Sequence, residues 1–220
     1  MKNKGLERDL ECIEVAKNFV VNSNKNLFIA LMHIDSLGHI FGNDKERITD
    51  GAKEILAPFI ESLDYLNKKN QLGKVVIISD HGMVNVHNDH IIDPKFEYTI
   101  SGFGDKWMCY YDSLYLKIWS DDRSLLKKFR LLLSKYPGKI LDMRERKKAG
   151  ASSIDFGNIL YILNEGYAFA PNFFGRGTAK GYHGYMTNSD EHNGVFISQE
   201  INSDTSNLNP IKVFEILKNL

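Results

Sequence analysis

Apolar residues along the chain switch between two periods, and the switches mark out its elements. Leu6, Leu10, Ile13, Ala16 and Val20 recur at close to 3.6 residues, with Glu7, Arg8, Glu11 and Glu14 between them. That predicts a helix over residues 6–21, ended by Asn22, Ser23 and Asn24. Leu27 to Met32 is an unbroken apolar run, read as a buried strand. From Asp44 to about Lys69 the helical period returns through Ile48, Ala52, Ile55, Leu56, Phe59, Ile60, Leu63 and Leu66. Pro58 falls inside that stripe and is expected to kink or split the helix. Val75-Val76-Ile77-Ile78 follows, four β-branched residues that predict a strand buried on both faces. Strand, helix, strand is a βαβ crossover, which would set the two strands parallel in one sheet.

The second half is more broken. Ser113 to Trp119 alternates as a strand, Asp121 to Tyr136 reads as a helix, and Pro137-Gly138 stops it. Residues 139–156 contain the basic run from Arg144 to Lys148, read as a solvated surface. A strand is expected over 158–163, a turn at Asn164-Glu165-Gly166-Tyr167, a strand over 195–198 and a closing helix over 210–220.

Chemistry gathers where the runs stop. After the first strand come Asp35 and His39, four residues apart, so that one helical turn or a tight loop could bring both to one ion. After the second come Asp80 and His81, followed by Gly82. In open α/β sheets ligands bind beyond the carboxyl ends of strands. A carboxylate beside an imidazole suits zinc or a similar divalent ion. A third stretch, Gly175 to Tyr185, holds His183 between Gly181 and Gly184, where irregular backbone approaches something closely. The polar loop His87, Asp89, His90 and Asp93 also invites a metal, but its spacing is undistinctive and it reads as solvated.

Composition narrows the class without naming a function. The 220 residues are 43% hydrophobic and 25% charged, enough to bury a core, and 28 basic residues balance 28 acidic ones. Neutrality argues against a nucleic-acid polymer as partner. Two cysteines, Cys12 and Cys109, make no disulfide framework. No apolar run approaches the ~18 to 20 residues of a membrane span, and the charged N-terminus lacks the apolar stretch of a signal peptide. As written, the chain is expected in the cytoplasm.

Taken together, Asp35-Ser36-Leu37-Gly38-His39, Ser79-Asp80-His81-Gly82-Met83 and His183-Gly184-Tyr185 resemble the metal motifs of the type I phosphodiesterase and nucleotide pyrophosphatase family, in family order. That family belongs to the alkaline phosphatase superfamily. The segment from Asp190 to Ile197 resembles the family's run from the last histidine into the next strand. The resemblance implies an α/β fold with an alkaline-phosphatase-like sheet flanked by helices, incomplete at the N-terminus. It implies a partial domain over 1–220, with metal motifs at 33–42, 79–83 and 175–185 and a variable insert over roughly 87–157. It also implies two divalent metal ions, zinc by preference: Asp35, His39 and His183 at one, Asp80 and His81 at the other. The implied substrate is a small phosphodiester or pyrophosphate. In the implied reaction a Thr or Ser attacks phosphorus and water then cleaves the intermediate.

Two family elements have no counterpart here, a first strand ending in a metal-binding Asp and the nucleophilic Thr or Ser after it. Both are expected upstream of Met1, and a complementary N-terminal segment is an expected partner. Ser36, Ser79 and Thr178 lie near the motifs but outside the family's nucleophile context. Two alternatives stand beside the hydrolase: a non-catalytic metal-binding or interaction remnant of the fold, and a superfamily phosphotransferase. Family members are often extracytoplasmic, which opposes the cytoplasmic expectation.

Overall fold

The N-terminal segment forms three helices, α1 (Lys4–Asn22) and α3 (Lys45–Lys68) where the period predicts them and α2 (His33–Phe41) between them. The computed structural model describes residues 4–23, 25–95, 100–186, 189–198 and 208–218. They fall into two units, Met1–Met83 with Asn193–Leu220, and Val84–His192.

In the first unit α1 and α2 both pack on α3. Ile13 of α1 and Ile55 and Leu66 of α3 are the buried apolar contacts. Asp44 caps α3, its carboxylate accepting from the Arg47 N–H at 3.1 Å. Pro58 does not split α3, which is assigned as one helix through it. Proline has no N–H, so continuity costs the helix one bond, to the Glu54 carbonyl. Gly51 lets α2 and α3 approach, because a Cβ there would fall 2.0 Å from Leu37 Cδ1.

Two expectations fail in this unit. Residues 27–32 form no strand, and Phe28 is 76% exposed. A strand needs a ladder partner, and none of the described residues supplies one. The predicted parallel βαβ crossover is therefore absent. The second run does form a strand, β1 (Val76–Ile78), but it pairs antiparallel with β10 (Phe196–Ser198) in a two-stranded ribbon and is half-buried. Its continuous β-branching carried the strand, not the doubly buried setting. A helix, α6 (Pro210–Lys218), closes the described chain, and residues 219–220 of the predicted helix lie outside it.

The second unit holds most of the core. Four antiparallel strands run in the order β4 (Met108–Tyr111), β5 (Tyr115–Trp119), β7 (Ile159–Leu163), β6 (Gly138–Ile140). The helix α4 (Arg123–Leu133) turns Leu125, Phe129 and Leu133 inward, and Phe129 meets Trp107 edge-on at 4.7 Å. Every residue of β7 is buried. Two short pairs complete the unit, β2 (Val84–Asn85) with β9 (Gly181–Tyr182) antiparallel and β3 (Ile91–Ile92) with β8 (Ala168–Phe169) parallel. The basic run forms the helix α5 (Met143–Lys148), opened by an Asp142–Glu145 capping box, and its Arg144, Lys147 and Lys148 are exposed as expected. Its Arg146 is buried, the guanidinium donating to the carbonyls of Ala151 and Ser153 at 3.0 and 3.1 Å. The charge pattern concealed this because a buried arginine can be met wholly by backbone acceptors.

Candidate metal centre

The first-unit ligands sit on two elements brought together by a glycine. α2 carries Asp35 in its first turn and His39 in its last, with Nε2 of His39 3.4 Å from Oδ1 of Asp35. The loop after β1 carries Asp80 and His81, with Nε2 of His81 3.4 Å from Asp80 Oδ1 and 3.9 Å from Asp35 Oδ1. Gly38 is what lets these elements meet: a Cβ there would lie 2.6 Å from Met83 Cε. The glycine of one motif thus packs on the methionine of the other. Gly42, at φ +71°, ends α2 and donates to the Gly38 carbonyl at 2.8 Å.

The donor set fits a divalent ion. Ligands about 2.0–2.1 Å from a tetrahedral zinc stand roughly 3.3–3.4 Å from each other. Both 3.4 Å pairs have that spacing, which is long for a hydrogen bond. His81 Nδ1 lies 2.8 Å from the Gly82 carbonyl, which can only accept, so Nδ1 carries the proton. In the neutral ring Nε2 then presents its lone pair towards two carboxylates, the arrangement of a ligand histidine oriented by its backbone. Asp35, His39 and His81 are partly buried, whereas Asp80 is 88% exposed.

His183 belongs to the other unit, half-buried in the loop after β9. That loop is pinned on both sides. Tyr115 donates its hydroxyl to the Gly184 carbonyl, and Tyr185 donates to the Tyr167 carbonyl at 2.7 Å. Burial first, then the neighbouring Tyr182 and Glu165, raises the Tyr185 phenol far above its usual range. Gly184 takes φ +95°, in the region that favours glycine.

The loop read as solvated is so only in part: His87 and Asp89 are exposed, while His90 is half-buried. His90 stacks on Tyr167 at 4.0 Å and meets His87 edge-on. No three potential ligand atoms of that loop come within 4.8 Å of one another among the described residues. The three candidate hydroxyls all contact backbone. Ser36 donates to the Met32 carbonyl at 2.9 Å and Thr178 to the Ala179 carbonyl at 3.2 Å. Ser79 accepts from the Val195 N–H at 2.7 Å, and its own N–H donates to the Val195 carbonyl at 2.9 Å. Sequence reasoning missed the residue that makes room for this contact, Gly194, where a Cβ would fall 2.4 Å from the Ser79 carbonyl. It also missed Asp9 and His33, both almost wholly buried at opposite ends of one hydrogen bond. A charged residue inside an amphipathic repeat gives no sign of facing inward.

The sequence pattern of the type I phosphodiesterase / nucleotide pyrophosphatase family matches residues 7–186. The chain belongs to this family. Among solved structures it is similar to murine ectonucleotide pyrophosphatase/phosphodiesterase 5, with 15% identity and TM-score 0.69, over 84% of this chain and 52% of that one. An inactive variant of the same murine protein, in complex with AMP, gives TM-score 0.67 at 15% identity over 89% and 52%. The human protein gives TM-score 0.60 at 17% identity over 74% and 44%. At such identities the likeness is one of fold, a partial alkaline-phosphatase-like α/β fold. The chain spans about half the length of the solved relatives it matches. No curated protein sequence matches it. Among the described residues, no helix is long and apolar enough to cross a membrane.

Proposed function

We propose that the chain carries the metal-binding part of a phosphodiesterase or nucleotide pyrophosphatase. Asp35, His39 and His183 hold one divalent ion, and Asp80 and His81 contribute to a second. The observation that carries this reading is the pair of 3.4 Å carboxylate–imidazole spacings on two elements joined through Gly38 and Met83. Family membership and the glycine loop around His183 add support. Zinc is the ion the donor set favours, since carboxylate oxygen and imidazole nitrogen are its common ligands. When bound, such ions polarise phosphoryl oxygens and lower the pKa of a coordinated water. The chain's own contribution is to hold ligands: α2 fixes Asp35 against His39, and the Gly82 carbonyl fixes the His81 tautomer. The substrate class is a small phosphodiester or pyrophosphate. By the family resemblance, Ser36, Ser79 and Thr178 lie outside the nucleophile's context, and none of them is taken as the nucleophile.

Zinc titration of the purified chain, followed by calorimetry, tests the ligand set. His183→Ala should weaken the tightest ion by at least about tenfold, the usual order for losing a ligand or its support, and His87→Ala should leave it unchanged. In the same preparation an aryl phosphodiester should turn over slowly, and faster when the N-terminal half of a family member is added. A chain that takes up no zinc at clear excess, or that hydrolyses at the complemented rate alone, overturns this reading.

A further inference from the structure

The N-terminus of α2 lacks a cap of its own. The residue before it, Met32, offers no side-chain acceptor, although α2 carries both Asp35 and His39. The acceptor comes from another helix. The backbone N–H of His33 donates to Oδ2 of Asp9, on α1, at 2.7 Å. That length falls in the range of a charge-assisted bond. Asp9 is 1% exposed, and its second oxygen, Oδ1, has no hydrogen-bond partner among the described residues. A buried carboxylate is costly to desolvate, and a short polar side chain at position 32 would have capped the helix more simply.

The His33 ring is 1% exposed, its Nε2 3.5 Å from Glu54 Oε2 of α3. Gly51, one turn earlier on α3, removes the side chain that would push Leu37 and the ring away. α2 is thus tied at its first residue to α1, two residues before Asp35. A carboxylate at a helix N-terminus also complements the helix dipole.

We infer that Asp9 is a positioning residue for the metal centre, setting the axial placement of α2 and so the separation of its two ligands from Asp80 and His81. It touches no ligand of the centre and acts through the His33 amide. This inference rests on the metal reading proposed above.

The test uses the full chain, Co2+ as a spectroscopic probe, and amide hydrogen exchange across α2 measured without metal. Asp9→Ala should speed exchange at residues 34–38, lower Co2+ affinity by at least about tenfold, as for groups that support a ligand, and shift the visible Co2+ bands. Asp9→Asn, which keeps an acceptor oxygen, should restore all three. Ile13→Val, on the same helix and equally buried, should lower the melting temperature without moving affinity or bands. Should Asp9→Ala not fold, Asp9→Glu carries the test: it keeps the charge, displaces the acceptor by one methylene, and must reduce affinity. Unchanged affinity in a folded Asp9→Ala, or an equal loss in Ile13→Val, overturns the inference. A wild-type chain that takes up no Co2+ sinks the metal reading instead. Exchange then decides alone, with protection lost in Asp9→Ala upholding the tie and protection retained overturning it.

Discussion

At the scale of single residues, the motif glycines do as much as the ligands. Gly38 is buried against Met83, and the Cβ of Gly38→Ala would lie 2.6 Å from Met83 Cε. Because the obstacle is the end of a flexible side chain, the variant should fold with a loss of about 1 to 3 kcal/mol, as for overpacking. Metal affinity should fall with it, since α2 is pushed away from His81. Adding Met83→Ala should recover most of both losses, measured by urea unfolding and zinc titration. Failure of the double variant to recover either one would separate Gly38 from Met83. The motif residues themselves were legible in the sequence: Asp35, His39, Asp80 and His81 converge within the first unit. Asp9 was not legible, because one carboxylate among the charged positions of a helix looks like any other until its neighbours are known.

At the scale of elements, period proved a good guide to the longer helices and to β5 and β7, but it gave no strand at β4 or β6. It failed where a partner had to be supplied. Leu27 to Met32 and Val76 to Ile78 read alike, yet only the second becomes a strand, because β10 returns to pair with it. Hydrophobicity records a wish for burial, while a ladder requires a neighbour whose place in the chain lies far away. β7 shows the favourable case, paired on both sides and buried throughout. Its Tyr161 hydroxyl is buried with no hydrogen-bond partner among the described residues, and burial, then the neighbouring Tyr136, raises the phenol to about 12. Below the ordinary phenol value of about 10 the group is neutral in both folded and unfolded chains. Above it the unfolded chain ionises first, so stability present below about pH 10 is lost as pH rises through about 12. Tyr161→Phe should therefore lie within about 1 kcal/mol of the parent at pH 7, an orphaned hydroxyl having little to lose. It should also flatten the alkaline decline between those two values, seen by circular dichroism across a pH series. An equally steep decline in the variant would assign it to other groups.

At the scale of the whole chain, core and candidate ligands are unequally shared. Of the buried apolar side chains among the described residues, only Ile13, Ile55 and Leu66 fall in the first unit, which holds four of the five proposed ligands. The clusters around Trp107 and Phe129, around Val84 and Tyr185, and around Leu141 and Leu160 all lie within Val84–His192. That contiguous segment should fold when expressed alone, with a cooperative thermal transition and a near-ultraviolet signal from Trp107 and Trp119. A segment without either would show that its core depends on the rest of the chain. Chain order then acquires a meaning in time. Ile78 pairs with Phe196, and the Ser79 loop is tied to Val195. A ribosome adding roughly 5–20 residues per second needs roughly 6–24 s to travel from one to the other. During that interval the whole Val84–His192 segment can emerge and collapse, while the Asp80–His81 loop hangs from a nascent chain whose fastening has yet to be translated. The Asp80–His81 loop is therefore the last of the candidate ligand segments to be fastened.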